Sequence, residues 1–396
     1  MTKMMYRFLF LIFFAQRALA GFFEFSEVDD PLQSLWQNEK LEKKLTECRV
    51  LTKSGVKYGS CVPYGTCMLS GGAANGFCGI LQTCCIYENT CGKESDTKVG
   101  YFEANEVTDG VTTCNYVIKL RNPNICQVRL DFVKFNLAPA TMTLPQYATR
   151  QIYKCNDDRL KIVPNYFGIP ELCGNNDKQH VYVHVNQTDG VTKGVQLQVT
   201  LADRNYNPHL PTASWKIKIT QLQCPGEQKG FHLPKLDADQ DVIQDFPQLA
   251  PLGTIQYFTE KTGYFRSFGF DGSIQKQQSY TYGQNYAIGF KRDINICGIQ
   301  FTPDYINLPF DNYVRIYSDR DCKHYLYVPE LYFEDQLTTL NSLVSKVCIR
   351  SAAPFKSYAP GPFYVNFNSM MTNFTTDTVD QKQGFNIKYE LLTKCT

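Results

Sequence analysis

The chain has 396 residues, of which 40 are basic, 38 acidic and 16 cysteine. At roughly 100–200 residues per domain this length implies two or three domains, and the near balance of charge lacks the basic footprint of a nucleic-acid-binding protein. The 25 Tyr and 27 Phe suit pleated, half-buried surfaces.

Residues 1–20 read as a secretory signal peptide. Lys3 and Arg7 lead into the apolar run Phe8 to Phe14, and Ala18-Leu19-Ala20 has the small-x-small pattern that precedes cleavage. The run is too short to cross a bilayer, which takes ~20 residues. No second long apolar run follows, and the end Thr393-Lys394-Cys395-Thr396 carries no lipid-anchor tail. A secreted, extracellular chain without a membrane span is therefore expected. Its even cysteine count then reads as eight disulfides with no free thiol, and Asn186 and Asn373, each in an Asn-x-Thr triplet, as glycosylation acceptors.

Residues 21–47 are expected to be a solvated spacer with one short helix. Asp30 suits a cap, Pro31 the first helical position, and Leu32, Leu35 and Trp36 fall near one face. Residues 48–90 form a cysteine-rich module, with Cys48, Cys61, Cys67, Cys78, Cys84 and Cys85 set among seven glycines from Gly55 to Gly79. So small a segment cannot bury a useful core, and disulfides must hold it. The six cysteines pair among themselves, and spacing does not choose the connectivity. Zinc is the weaker reading, because the module has no histidine and no two CxxC pairs. The run Gly76-Phe77-Cys78-Gly79-Ile80-Leu81-Gln82-Thr83-Cys84-Cys85 resembles the clip-like module of arthropod secreted proteins.

Residues 91–224 alternate with period two. Cys126, Val128, Leu130 and Phe132 share one face, and Gln127, Arg129 and Asp131 share the other. Trp215 to Thr220 alternates likewise before the phase slips near Gln221, and His180 to Val185 places His180 and His184 on the polar face. The segments Cys91-Gly92, Cys114-Asn115-Tyr116-Val117-Ile118, Ile125 to Phe132, Cys155-Asn156-Asp157-Asp158-Arg159-Leu160, Leu172-Cys173-Gly174-Asn175 and Gln179 to Tyr182 together resemble a CUB domain of the kind common in arthropod secreted proteins. The resemblance implies an antiparallel β-sandwich that binds other molecules and catalyses nothing. It pairs Cys91 with Cys114 and Cys155 with Cys173. Cys126 and Cys224, left over on predicted strands, then pair with each other.

Residues 225–251, broken by Pro225, Gly226, Pro234, Pro247 and Pro251 and carrying four aspartates from Asp237 to Asp245, are expected to be a linker or surface insertion. Residues 252–396 repeat the sandwich in divergent form. Asn295 to Phe301 echoes Asn124 to Leu130, and the cysteine order 297, 322, 348, 395 parallels 126, 155, 173, 224. That parallel pairs Cys297 with Cys395 and Cys322 with Cys348. The family's first link is missing, because Thr254 and Gly289 stand where it has cysteines. Losing one cross-link costs on the order of 2–4 kcal/mol, so 252–396 is expected to be the less stable domain and to melt first.

Little in the sequence supports catalysis. There is no Gly-x-Ser-x-Gly elbow or Gly-Asp-Ser-Gly-Gly loop to supply a nucleophile. His180 and His184 share a face but lack a marked third zinc ligand, and read as a solvent-facing pair. Asp158 matches one calcium-binding carboxylate of CUB domains, with Asn175 and Asn176 after Cys173, but the expected Glu before Cys114 is absent. Asp158 is thus a weak calcium candidate, since calcium takes six to eight oxygens, and the expected cofactor is none. The overall expectation is an all-β protein: two tandem CUB-like sandwiches after a disulfide-rich module. It is expected to be a non-enzymatic extracellular binding or scaffold protein whose partners are extracellular proteins or glycans. The alternative is a non-catalytic regulator or inhibitor of extracellular proteolysis.

Overall fold

The computed structural model describes residues 47–53, 55–104, 113–143, 152–185, 194–225, 245–270, 279–308, 324–333, 344–348, 353–369 and 383–395. The expected signal peptide and spacer up to residue 46, Asn186, Asn373, Cys322 and most of 225–251 lie outside them. The chain divides into two compact units, Met1–Tyr87 and Glu88–Thr396.

The first unit is a four-stranded antiparallel sheet in the order β1-β2-β4-β3, built from β1 (Glu47–Thr52), β2 (Gly55–Pro63), β3 (Ala73–Gly79) and β4 (Gln82–Ile86), with the short helix α1 (Tyr64–Leu69) between β2 and β3. Disulfides join Cys48 to Cys84, Cys61 to Cys78 and Cys67 to Cys85. Sulfur replaces aliphatic bulk here: Cys67, Cys84 and Cys85 are among the few fully buried side chains. A Cβ at Gly72 would lie 2.2 Å from Cys85 Sγ, so only glycine lets α1 turn back over that bridge.

The second unit begins with β5 (Glu88–Asn89), β6 (Glu94–Ser95), β7 (Val99–Ala104), β8 (Thr113–Ile118), β9 (Ile125–Asn136), β10 (Thr141–Thr143), β11 (Ile152–Lys154), β12 (Arg159–Val163), β13 (His180–His184), β14 (Val195–Thr200) and β15 (Ser214–Gln223). Two sheets, β12-β14-β8-β6 and β13-β9-β15-β7-β5, face each other. Phe102 of β7 stacks on Tyr116 of β8 across the gap, with centroids 4.9 Å apart. Alternate residues fill the core, such as Val195, Leu197 and Val199 on β14 and Val128, Leu130 and Phe132 on β9. The strict period breaks in β9, where Lys216 faces Lys134 but Ile217 faces Phe132. Val133 is the extra residue of a bulge, which returns Phe135 to the core. The slip expected near Gln221 lies one step on, between Leu222 and Gln223.

The strands β16 (Thr254–Phe258), β17 (Thr262–Arg266), β18 (Asn285–Phe290), β19 (Gly298–Asn307), β20 (His324–Phe333), β21 (Val344–Val347), β22 (Phe355–Ser357), β23 (Phe363–Ser369) and β24 (Gly384–Leu392) complete the unit. They run in the order β16-β18-β23-β20-β22-β19-β24-β17, with β21 on β20. The first half of β20 pairs with β23 and its last residues with β22, so this strand passes from one layer to the other. Phe367 against Phe385 at 5.2 Å and Phe290 against Phe301 at 5.7 Å close the layers. The topology repeats that of the first sandwich: β16 lies parallel to β18 as β6 does to β8, and β19-β24-β17 follows β9-β15-β7. Cys126–Cys224 and Cys297–Cys395 both span 98 residues. Cys91 joins Cys114, and Cys155 joins Cys173. Cys348 is disulfide-bonded, and its expected partner Cys322 is outside the described residues.

Candidate binding surface

Asp158 lies at the turn before β12 and is fully buried. Its carboxylate accepts from Ala138 N at 2.8 Å and Ala202 N at 3.1 Å, and takes both terminal nitrogens of Arg204 at 2.7 and 2.6 Å. That is a forked pair in which both oxygens already accept two bonds. The hydrogen bonds that Arg204 donates to Asp158 raise the Arg204 pKa above its ordinary value. Asn176, also fully buried, donates to Cys173 O at 3.0 Å and accepts from Gly269 N at 2.7 Å. Among the described residues no group of three or more His, Cys, Asp or Glu side chains stands close enough to hold a metal.

The two histidines of β13 are not solvent-facing, which corrects the sequence reading: each is only 7% exposed. The outer face of the β13-β9 pair is covered by residues 245–258. His180 Nε2 accepts from Tyr257 N at 2.9 Å, and His184 Nε2 donates to Thr254 O at 2.8 Å. His180 is held down to about 3, by burial first and by the Arg129 charge second, and burial also lowers His184. Gln127, read as a polar-face residue, grips Ala250 at both ends, donating to its carbonyl at 2.7 Å and accepting from its N–H at 2.9 Å. Arg129 bonds Asp131 at 2.7 Å and the Tyr182 hydroxyl at 3.1 Å. That hydroxyl donates to Gln248 O at 3.0 Å.

Residues 245–250, the described part of the expected linker, are pinned to the first sandwich at Asp245 and Ala250, with Phe246 left exposed. Asp245 meets Lys98 at 2.5 Å, with both side chains at most 2% exposed, and also accepts from Gln223 N at 2.9 Å. Tyr182, Leu222, Ala250 and Tyr257 form an apolar patch amid these bonds. The two sandwiches therefore share a seam, and one apolar cluster runs through both from Phe102 to Leu391. The sequence signal for the seam was faint. The outward residues of β9 and β13 include Gln, His and Tyr where a solvated face carries mostly Lys and Glu.

Beside the seam a groove of about 480 Å³ opens over the outer face of β18 and β23. Phe167 of the first sandwich and Leu252 stand along one side, Tyr364 and Asn366 along the other, with Ala287 and Gly289 as its floor. Thr254 and Gly289 meet here: a Cβ built on Gly289 would lie 3.6 Å from Thr254 Cβ. None of the described residues lining the groove is charged.

The paired sheets and the disulfides define a disulfide-rich all-β protein whose second unit holds two β-sandwiches. Residues 251–392 match the family model described as the animal CUB domain, so the second sandwich, the copy without the first disulfide, carries a CUB domain. CUB domains are typically extracellular protein-interaction modules. No curated protein matches the chain. Among solved structures it is similar to the CUB1-EGF-CUB2 domains of rat MASP-1, at 10% identity over 77% of this chain and 99% of that one, with a TM-score of 0.23. It is also similar to the CUB1-EGF-CUB2 domain of human MASP-1/3, at 10% identity over 75% and 100%, with a TM-score of 0.23.

Proposed function

We propose that this protein is a secreted, non-enzymatic binding or scaffold protein whose two sandwiches act as one body. The observation that carries the reading is the seam. Gln127, His180, His184 and Lys98 spend their polar groups on residues 245–257, which fixes the relative orientation of two binding modules at some cost in desolvation. A rigid pair presents its outer faces pre-organised, and that reduces the entropy lost on association. The CUB match over 251–392 supports an extracellular protein-interaction role. Calcium has no part in this reading, because the Asp158 carboxylate is already committed to Arg204 and two backbone N–H groups.

The test is affinity capture from extracellular fluid with the full secreted chain, with and without a chelator. The expected result is retention of one or more extracellular components, unchanged by chelation, and no turnover of peptide or ester substrates. Turnover that persists through further purification contradicts the reading, as does capture that vanishes on chelation. A second reading, regulation of extracellular proteolysis, is favoured by the disulfide-held β3–β4 hairpin. Its tip leaves Ile80 and Leu81 at 78% and 85% exposure, with Leu81 at φ 58°, a strained conformation for a bulky residue. A protease among the captured components supports that reading.

A further inference from the structure

The geometry points to the groove over β18 and β23 as a binding site for a neutral glycan. This rests on the reading of the chain as an extracellular binding protein and names the ligand class for one of its faces. In β23, Tyr364, Asn366 and Asn368 alternate with the buried Phe363, Val365 and Phe367 and so share the outer face. Register sets Gly289 opposite Tyr364, Ala287 opposite Asn366 and Asn285 opposite Asn368. Ala287 is small and only partly covered, whereas Thr254 and Tyr257 close over Gly289, and the amides stand in a row beside them.

The chemistry of this surface selects its ligand. A phosphate, sulfate, carboxylate or amine would need a counter-charge or lose its hydration unpaid, and no described lining residue provides one. A wholly apolar ligand would bury the Asn285 and Asn366 amides against nothing, and neither side chain bonds to another described residue. Next along the row, Asn368 Oδ1 is buried with no hydrogen-bond partner. The complement is a ligand with hydroxyls that both donate and accept, to meet amides that do the same, and with C–H faces to lie on an aromatic ring. Tyr364 supplies that ring, 37% exposed and stacked on Tyr327 with centroids 6.5 Å apart. A volume of about 480 Å³ is that of a small-ligand site, for which roughly 300–1,000 Å³ is usual. Concavity of this size favours a short run of sugar rings over a flat protein surface.

The experiment uses the full secreted chain against immobilised mannan, β-glucan, galactan and chitin oligosaccharides, with heparin and polysialic acid as charged probes. At least one neutral glycan should be retained, with no preference for the charged ones. Tyr364→Ala and Asn366→Ala should each weaken that binding about tenfold or more, whereas Tyr364→Phe, which keeps the ring, should retain most of it. Both positions reach solvent, and unchanged circular dichroism of each variant separates lost contact from lost fold. Retention of no neutral glycan overturns the assignment, as does preference for heparin or polysialic acid, or binding indifferent to both alanine variants. If no neutral glycan binds but Tyr364→Ala releases a protein captured from extracellular fluid, the glycan assignment falls and the binding role stands. If the wild-type chain captures nothing of either kind, both fall.

Discussion

His180 cannot take a proton at Nε2 without losing the bond from Tyr257 N, and burial holds its pKa down to about 3. The unfolded chain protonates the same imidazole near the ordinary value of 6.5. Between those values the unfolded state binds more protons, so stability is full above about pH 6.5 and is lost as pH falls towards 3. His184, lowered by burial, adds to the same trend. Urea midpoints measured from pH 7.5 to 3.5 should fall steadily, and His180→Gln should flatten that fall; a midpoint independent of pH contradicts the buried, neutral assignment. Asp158 gives the second residue-scale prediction. Asp158→Ala strands Arg204 and two backbone donors and should cost about 2–4 kcal/mol in denaturant melts, while a chelator should leave the wild-type melting temperature unchanged. A chelator-induced fall of several degrees would mean that a bound cation, and not Arg204, stabilises this turn.

At the scale of elements, β16 and β18 mirror β6 and β8 but lack their bridge. The separation of 3.6 Å between Thr254 Cβ and a Cβ on Gly289 falls within the range disulfides use, roughly 3.5–4.5 Å. Gly289→Cys alone should destabilise, because the new Cβ would meet Thr254 Cγ2 at 3.0 Å and Tyr257 Cδ2 at 3.1 Å. With Thr254→Cys added, that methyl goes and a bond forms. The oxidised double variant should contain no free thiol and gain about 2–4 kcal/mol over its reduced form; two reactive thiols per chain would show that the strands are not so placed. The strands themselves were legible in the sequence, because alternation of Val, Leu and Phe against polar neighbours survives in β9, β14 and β15. The bulge at Val133 was not, since a one-residue insertion leaves no compositional mark. Asp158 stood out as a carboxylate after Cys155, but its partner Arg204 comes 46 residues later, and only the fold brings them together.

At the scale of the whole molecule, the sequence leads to two sandwiches on a Pro- and Asp-rich tether, the second less stable and melting first. The composition of 225–251 supports that reading, but composition does not say which aspartate is buried. Asp245 is paired with Lys98 across 147 residues, and the polar outer face of β9 and β13 turned out to be an interior surface. Independent melting requires that little be lost when the sandwiches part. Parting these would expose the Tyr182–Tyr257 patch and break the bonds of His180 to Tyr257 and of His184 to Thr254, each hydrogen bond contributing about 1 kcal/mol net. The expected behaviour is one cooperative unit in which the missing bridge weakens both sandwiches together. Hydrogen exchange of the full chain under increasing urea, read by mass spectrometry in peptides of β15 and β23, tests this most directly. The account predicts that both sets of peptides lose protection at the same urea concentration and that Gln127→Ala combined with Asp245→Ala separates them. Peptides of β23 opening well before those of β15 in the wild-type chain would contradict it.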